Sequence, residues 1–272
     1  MGSVLRFSIL YLSKNITTQP KQQNNTFYNL FIGMKIPAAL ATATDPTTIL
    51  GYGSLLSEAS ARVTFPDLSN FRLVRLRGLR RVFAHPHLFL VSEGLVDTKT
   101  SLCLASLSSE TCDDMSIGFV ASAFEVNLDD EQRLAFVKRE PEYNITTAPY
   151  YDTHGGGDNN DPIGTGIICL SRLNDDDLPS WLDESRDLLP AVGKRGVWTW
   201  AKDSGLLPFD MYLRHCLLAV KKAGEQAEQS FLDDTYLVDR KTTLREYLAR
   251  DGNKQRVLSS MPPDRFSKRF NG

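Results

Sequence analysis

Short stretches with the pattern of β-strands follow one another closely in the first half of the chain, and no long helical pattern separates them. In one of them, arginine alternates with apolar residues from Phe71 to Leu76, which predicts a strand with one solvent-exposed face. The strand patterns lie at 47–50, at 71–90 with a turn at Gly78, at 102–107 and at 118–126. Strands at such short spacing predict a compact mixed sheet or barrel.

Helical patterns begin after these strands. Asn127 can cap a helix whose first turn is acidic, and Pro141 ends it because the residue before a proline is pushed out of the α region. Two further strands are predicted at 143–150 and 166–171, and helices near 178–189, 208–223 and 243–250. We therefore predict a mixed α/β fold: one domain over residues 45–272 with a helical C-terminal part.

The N-terminal segment differs in composition from the rest. The first acidic residue is Asp45, and residues 15–29 are mostly Asn, Gln, Thr and Pro, which cannot bury enough apolar surface to offset their ordering entropy. Residues 1–44 are therefore predicted to be a disordered or targeting extension. A transit peptide fits its basic, acid-poor character, and an incidental extension before a start at Met34 fits as well. We expect a cytoplasmic location, with an organellar one as the alternative.

Charge and cysteine usage exclude several classes of function. Lys plus Arg total 31 and Asp plus Glu total 33, so the net charge of −2 argues against a general nucleic-acid binder. No apolar run approaches the roughly 20 residues of a membrane span. The four cysteines are spread without a CxxC pair, which gives no support for a zinc site.

The first candidate for chemistry is Gly51-Tyr52-Gly53-Ser54-Leu55, directly after a predicted strand. Glycines let backbone N–H groups turn toward a ligand, and a helix start at Ser54 adds partial positive charge. Such a loop can hold a carboxylate or a polarised carbonyl. It lacks the third glycine of a dinucleotide fingerprint and the Gly-Lys-Ser/Thr of a P-loop. Spacing alone favours an ordinary tight turn.

The second candidate is Glu140, the last residue of the predicted helix before Pro141. A carboxylate opposes the macrodipole at a helix C-terminus, and burial would also raise its pKa, which suits a proton shuttle. Glu142 is the alternative candidate for this proton shuttle. The competing interpretation of either residue is an ordinary solvent-exposed charge, which is the commoner role of a lone Glu.

Three other polar groups are interpreted as structural or exposed. His85 and His87 share a strand face and could bind a metal, but no third ligand follows at a suitable spacing. Arg80 and Arg81 could bind an anion, but their side chains are expected to be exposed to solvent. The acidic run at 174–177 lacks the spacing of a calcium loop and is expected to cap a helix.

Taken in order, these parts resemble the γ-glutamylcyclotransferase-like superfamily, which includes γ-glutamylamine cyclotransferases and ChaC-type glutathione-specific enzymes. The resemblance covers residues 49–170. It rests on the predicted strand at 47–50 together with Gly51-Tyr52-Gly53-Ser54-Leu55, and on three segments later in the chain. These are similar to the family's Arg-Arg-Phe strand, its strand before the helix and its catalytic Arg-Glu segment: Leu79-Arg80-Arg81-Val82-Phe83, the strand at 118–126, and Lys138-Arg139-Glu140-Pro141-Glu142-Tyr143.

The resemblance implies a small twisted barrel-like sheet with surrounding helices. It implies an enzyme of carbon–nitrogen lyase or acyltransferase type that converts a γ-glutamyl peptide or amine, with glutathione as one candidate, to 5-oxoproline. Glu140 would be the acid and base, and neither metal nor cofactor is required. The small-molecule substrate would bind, with no nucleic acid or membrane as partner, at Tyr52, Gly53, Ser54 and Leu55, with Tyr143 or Tyr150 steering the amine. The alternative is a non-catalytic binding module on the same scaffold.

Overall fold

The computed structural model describes residues 36–96, 98, 101–153, 161–189 and 196–272. The chain divides into two units, Met1–Lys35 and Ile36–Gly272, and the first lies outside the described residues. Most of the predicted N-terminal extension and most of the glycine-rich loop at 154–161 therefore fall outside the description. The predicted domain boundary at residue 45 stays a prediction.

The strands form two sheets. A five-stranded sheet has the order β2-β5-β1-β7-β6, in which β1 is antiparallel to β5 and parallel to β7. A four-stranded sheet has the order β8-β4-β3-β9. The strands are β1 Thr47–Gly51, β2 Ser69–Arg77, β3 Leu79–Pro86, β4 Cys103–Thr111, β5 Gly118–Val126, β6 Asn144–Tyr150, β7 Gly164–Leu170, β8 Leu207–Pro208 and β9 Thr235–Tyr236.

The larger sheet curls so that its two edges meet. The backbone N–H of Arg75, on edge strand β2, donates to the carbonyl of Tyr151, directly after edge strand β6, at 2.8 Å. Tyr151 donates back to the carbonyl of Arg75 at the same distance. This pair satisfies edge groups that would otherwise be free to pair with another chain. The predicted mixed α/β fold with a barrel-like sheet is confirmed.

Gly78 connects the two sheets. It separates β2 in one sheet from β3 in the other, and its φ of 65° lies in the left-handed region that glycine tolerates best. A Cβ at this position would stand 2.8 Å from the sulfur of Met115. The turn predicted at Gly78 is therefore confirmed, and both its backbone and its space favour glycine.

Helices cover the sheets, and an aromatic cluster fills the space beneath two of them. Phe65 lies 5.7 Å from Phe124 on β5 and 5.6 Å from Phe136 on α4, between ring centroids. All three are almost fully buried, and each such side chain contributes about 1.5–3 kcal/mol. The helices are α1 Ala38–Ala41, α2 Glu58–Thr64, α3 Leu88–Ser92, α4 Asp130–Arg139, α5 Asp183–Asp187, α6 Asp210–Ala223, α7 Glu225–Asp233, α8 Leu244–Ala249 and α9 Asn253–Ser259.

Some local predictions need correction. Asp129, not Asn127, caps α4, through a capping box with Gln132. Residues 88–91, predicted as strand, form α3, because β3 ends at Pro86 and the apolar run then buries Leu88, Leu90 and Val91 as a short helix. A short apolar run fits a buried strand and a buried helix equally well.

The acidic run at 174–177 was expected to cap a helix, and the structure gives it another role. The carboxylate of Asp175 accepts hydrogen bonds from the backbone N–H groups of Val197 (2.8 Å) and Trp198 (2.9 Å). Asp175 therefore fixes a loop more than twenty residues further along the chain.

Residues before Asp45 already contact the domain. Leu40, on α1, is fully buried, and the guanidinium of Arg133 on α4 donates to the carbonyls of Leu40 and Ala43. These contacts involve residues 40–43, which lie inside the predicted extension 1–44. Among the described residues, no helix is both long enough and apolar enough to cross a membrane.

Candidate active site

The loop after β1 makes a single 3₁₀ turn, Ser54–Leu56, before α2 begins. The N–H of Leu56 donates to the carbonyl of Gly53 at 2.9 Å, and the Ser57 hydroxyl caps α2 by accepting from Ser60. The N–H groups of residues 53–55 have no backbone acceptor within the described part of the chain. The first N–H groups of a helical turn point along its axis without partners, so they can serve a ligand.

Both glycines of the loop are tightly enclosed. A Cβ at Gly51 would lie 2.5 Å from the Cβ of Leu55 and 2.6 Å from the hydroxyl of Ser122. A Cβ at Gly53 would lie 2.5 Å from the hydroxyl of Tyr212. The sequence Gly-Tyr-Gly therefore allows the chain to fold back over itself and lets a tyrosine from α6 approach the backbone.

Arg81 supports the loop from below, and it is fully buried rather than solvated as expected. Its guanidinium lies 4.7 Å from the ring of Phe119 and 4.6 Å from that of Phe231. Burial lowers its pKa to about 9. The side chain donates to oxygens from four separate parts of the fold: the carbonyls of Tyr52, Val120 and Ser230, and the hydroxyl of Thr235.

Glu140 follows the last residue of α4 and lies beside this loop. A cavity of about 40 Å³ separates them, which is room for few water molecules. Glu140 accepts a hydrogen bond from Nε of Arg139 at 2.9 Å, and Nη2 of Arg139 donates to the Ser54 hydroxyl at 3.0 Å. The cavity is lined by Leu50, Gly51, Tyr52, Gly53, Ser54, Leu55, Leu107, Glu140, Tyr143, Cys169 and Tyr212.

Two opposing effects set the protonation of Glu140. Its side chain is only 16% exposed, and this burial raises the pKa of the carboxyl. The charge and hydrogen bond of Arg139 lower the pKa again, by a smaller amount. Burial thus raises the pKa as expected, and the structure adds the arginine that limits the rise.

Glu142 points to a different neighbourhood. Its carboxylate lies 4.0 Å from Nε2 of the buried His85, and it does not line the cavity. Burial, followed by the nearby charge of Glu140, raises the pKa of Glu142 to about 8. Its backbone carbonyl accepts from Nε1 of Trp198 and from Nε of Arg172. Of the two candidate carboxylates, Glu140 is the one that faces the loop.

The candidate tyrosines separate into two places. Tyr52 and Tyr143 line the cavity, and their hydroxyls donate to the carbonyls of Cys169 (2.6 Å) and Leu107 (2.7 Å). Tyr150 does not line the cavity: its hydroxyl accepts from Arg72 at 3.0 Å, at the far end of β6. The structure therefore brings Tyr143 to the site and leaves Tyr150 outside it.

Sequence reasoning missed the contribution of the C-terminal part. Strand β8 pairs with β4, and the N–H of Phe209 donates to the carbonyl of Ala105, which fixes the start of α6. Tyr212, in the first turn of α6, thereby reaches the cavity, where burial raises the pKa of its hydroxyl. No local sequence signal marks Tyr212, because its place depends on a pairing a hundred residues away.

The histidine pair lies in the interior of the domain. Within the described ranges, no group of three or more His, Cys, Asp or Glu side chains could hold a metal ion. The ring of His85 stacks on Trp198 with centroids 4.4 Å apart, and burial lowers its pKa to about 3. Burial also lowers the pKa of His87. Both histidines are thus neutral residues of the interior.

Comparisons with known proteins give weak likenesses. No family model matches the chain, and no curated protein matches it. A solved γ-glutamyl cyclotransferase structure is 14% identical, covers 47% of this chain and 68% of its own, and has a TM-score of 0.34. A structure of an uncharacterized protein from Homo sapiens is 12% identical, covers 54% of this chain and 90% of its own, and also has a TM-score of 0.34.

Proposed function

We propose that the chain is a γ-glutamylcyclotransferase-type enzyme that converts a γ-glutamyl peptide or amine to 5-oxoproline and a released amine. The observation that supports this most strongly is that the largely buried Glu140 and residues 53–55 line one cavity, and that the N–H groups of residues 53–55 have no backbone acceptor within the described part of the chain. The resemblance of the Tyr-Gly-Ser-Leu loop and the Arg-Glu segment to the cyclotransferases supports the same reaction.

The reaction is an intramolecular aminolysis. The α-nitrogen of the substrate attacks its own γ-carbonyl carbon, a new C–N bond closes the five-membered ring, and the C–N bond to the leaving amine breaks. Glu140 removes one proton from the α-ammonium before the attack and returns it to the leaving nitrogen as the C–N bond breaks. It then takes the second proton from the new ring nitrogen and passes it to the released amine, which departs as an ammonium. One carboxylate serves all of these transfers, so the proton count balances without another reagent.

The loop supplies the electrostatic part. Its unpaired N–H groups and the Ser54 hydroxyl can hold the substrate carboxylate and the oxyanion that forms at the γ-carbonyl. Each such donor is worth about 3–4 kcal/mol in a site closed to water. Tyr52 and Tyr143 already donate their protons to carbonyls, so their oxygens are left as acceptors for the substrate ammonium.

We expect the side chains around the cavity of about 40 Å³ to move apart when a γ-glutamyl group enters. Closure around the bound substrate would exclude water and strengthen the interactions of Glu140 with its neighbours.

The experiment is to incubate the protein with glutathione, γ-glutamyl amino acids and γ-glutamyl amines, and to measure 5-oxoproline by mass spectrometry. With a substrate that turns over, Glu140→Gln should lower the rate by roughly 10²–10⁴-fold, because the amide keeps the shape but cannot take up a proton. Glu131→Gln, at an exposed position of α4, is the matched control and should leave the rate unchanged.

Other outcomes identify the alternatives. Glu142→Gln with the larger loss would move the acid–base role to Glu142. Calorimetric binding of γ-glutamylglycine to the wild type without 5-oxoproline formation would identify a binding module on this scaffold. The proposal would be refuted if the protein showed no binding and no turnover with all three substrate classes.

A further inference from the structure

Arg139 is the last residue of α4, and its side chain is only 2% exposed. Each of its three nitrogens has a side-chain acceptor. Nε donates to Glu140 at 2.9 Å, Nη2 donates to the Ser54 hydroxyl at 3.0 Å, and Nη1 donates to the Thr64 hydroxyl. The guanidinium thus joins the end of α4 to the loop after β1 and to the end of α2.

Several charged and titratable groups lie near Glu140. Arg139 precedes Glu140 in the chain and Glu142 follows it two residues later. The charge of Arg269, in the C-terminal segment, lowers the pKa of Glu140. The guanidinium of Arg269 lies over the ring of Phe89 at 4.5 Å. Other titratable neighbours are neutral at pH 7: Tyr52, Tyr143, Cys169 and Tyr212, and His215 beside Ser54 and Arg139. Arg139 is therefore the cation that both neutralises and hydrogen-bonds Glu140.

We propose that Arg139 is a positioning residue that keeps Glu140 deprotonated and oriented toward the cavity, and that it couples this carboxylate to Ser54 of the loop. The proposal rests on the proposed function, because it assigns Arg139 a role in the acid–base step. Arg139 itself does not line the cavity, so it acts through its two partners and not on the substrate.

The consequence concerns pH. Burial alone favours the neutral form of Glu140, and a protonated Glu140 cannot accept the proton of the substrate ammonium. An adjacent arginine typically lowers a carboxyl pKa by about 1–3, so its removal should raise the pKa of Glu140 by a similar amount. Below that pKa, the active fraction of the enzyme should fall about tenfold for each pH unit.

The first measurement is kcat/KM for 5-oxoproline formation between pH 5 and 9. Arg139→Met and Arg139→Gln should move the acidic limb of the profile upward by about 1–3 pH units and regain activity at high pH. Arg139→Lys, which keeps a cation, should move it less. Arg133→Met is the matched control: Arg133 lies on the same helix and binds only carbonyls, so its loss should lower the thermal midpoint without moving the limb.

The second measurement does not depend on activity. Carbon-13 NMR can titrate the glutamate carboxyls of the substrate-free protein, with the Glu140 signal assigned by its loss in Glu140→Gln. A higher pKa of Glu140 in the neutral Arg139 variants is expected, and an unchanged pKa overturns the proposal. A wild type without turnover would refute the proposed function, while this titration would still decide what Arg139 does to Glu140. Arg139→Gln serves if Arg139→Met does not fold.

Discussion

Burial of Glu142 should make the stability of the protein depend on pH, and Glu142→Gln should remove that dependence. Glu142 is 8% exposed, and its pKa rises from 4.5 to about 8 in the folded protein. Between these values, the folded state binds the proton more tightly than the unfolded state does. Stability from this group is therefore fully present below pH 4.5 and is lost as the pH rises through 8.

The size of the effect follows from the two pKa values. They differ by about 3.5, and each pKa unit is worth about 1.4 kcal/mol, so ionisation costs about 5 kcal/mol of unfolding free energy by pH 9. Domains are stable by about 5–15 kcal/mol in total, so this one carboxyl can account for a large share. The amide side chain that Glu142→Gln introduces carries no charge at any of these pH values.

The assay is urea unfolding followed by far-ultraviolet circular dichroism at pH 5, 6, 7, 8 and 9. The wild type should lose several kcal/mol across this range relative to Glu142→Gln, and the variant should be the more stable protein above pH 7. Glu131→Gln, at an exposed position, should track the wild type. Parallel curves for wild type and Glu142→Gln would refute the reasoning, because the carboxyl would then titrate alike in both states.

Two further predictions concern stability. A chain that starts at Met34 should keep its thermal midpoint, because the removed segment is acid-poor and its residues 15–29 are mostly Asn, Gln, Thr and Pro. A chain that starts at Asp45 loses the buried Leu40, worth about 1.5–3 kcal/mol, and should melt about 3–12 °C lower. Equal midpoints for the two would contradict this. Gly53→Ala should cost about 1–3 kcal/mol in urea unfolding, because its Cβ meets the Tyr212 hydroxyl. Combining it with Tyr212→Phe should restore most of the loss, and no restoration would show that another contact is responsible.

Elements with strong local signals could be predicted closely from the sequence. Strand β5 has the predicted bounds because its apolar run is bordered by turn residues, and α4 ends where Pro141 requires. The proximity of Glu140 to the loop agrees with the resemblance to the cyclotransferases. The functional roles of these residues remain predictions.

Features that depend on distant parts of the chain could not be predicted. Arg81 is buried because four oxygens from separate elements surround it, and no pattern near Arg81 indicates them.

The different locations of Tyr143 and Tyr150, by contrast, could have been predicted from the sequence. They are seven positions apart along a predicted strand, and side chains at an odd separation point to opposite faces of a sheet.

The parallel pairing of β1 with β7 has a consequence for how the protein is made. Ile49 pairs with Ile167, more than a hundred residues later in the chain. At a synthesis rate of about 5–20 residues per second, β1 waits about 6–24 s on the ribosome before this partner emerges. The Tyr52–Leu55 loop directly follows β1 in the chain, and Tyr212 is synthesised after β7. The loop can therefore contact Tyr212 only late in synthesis. The edge of β1 that pairs with β7 stays unpaired during that interval, while β5 can already pair with the other edge.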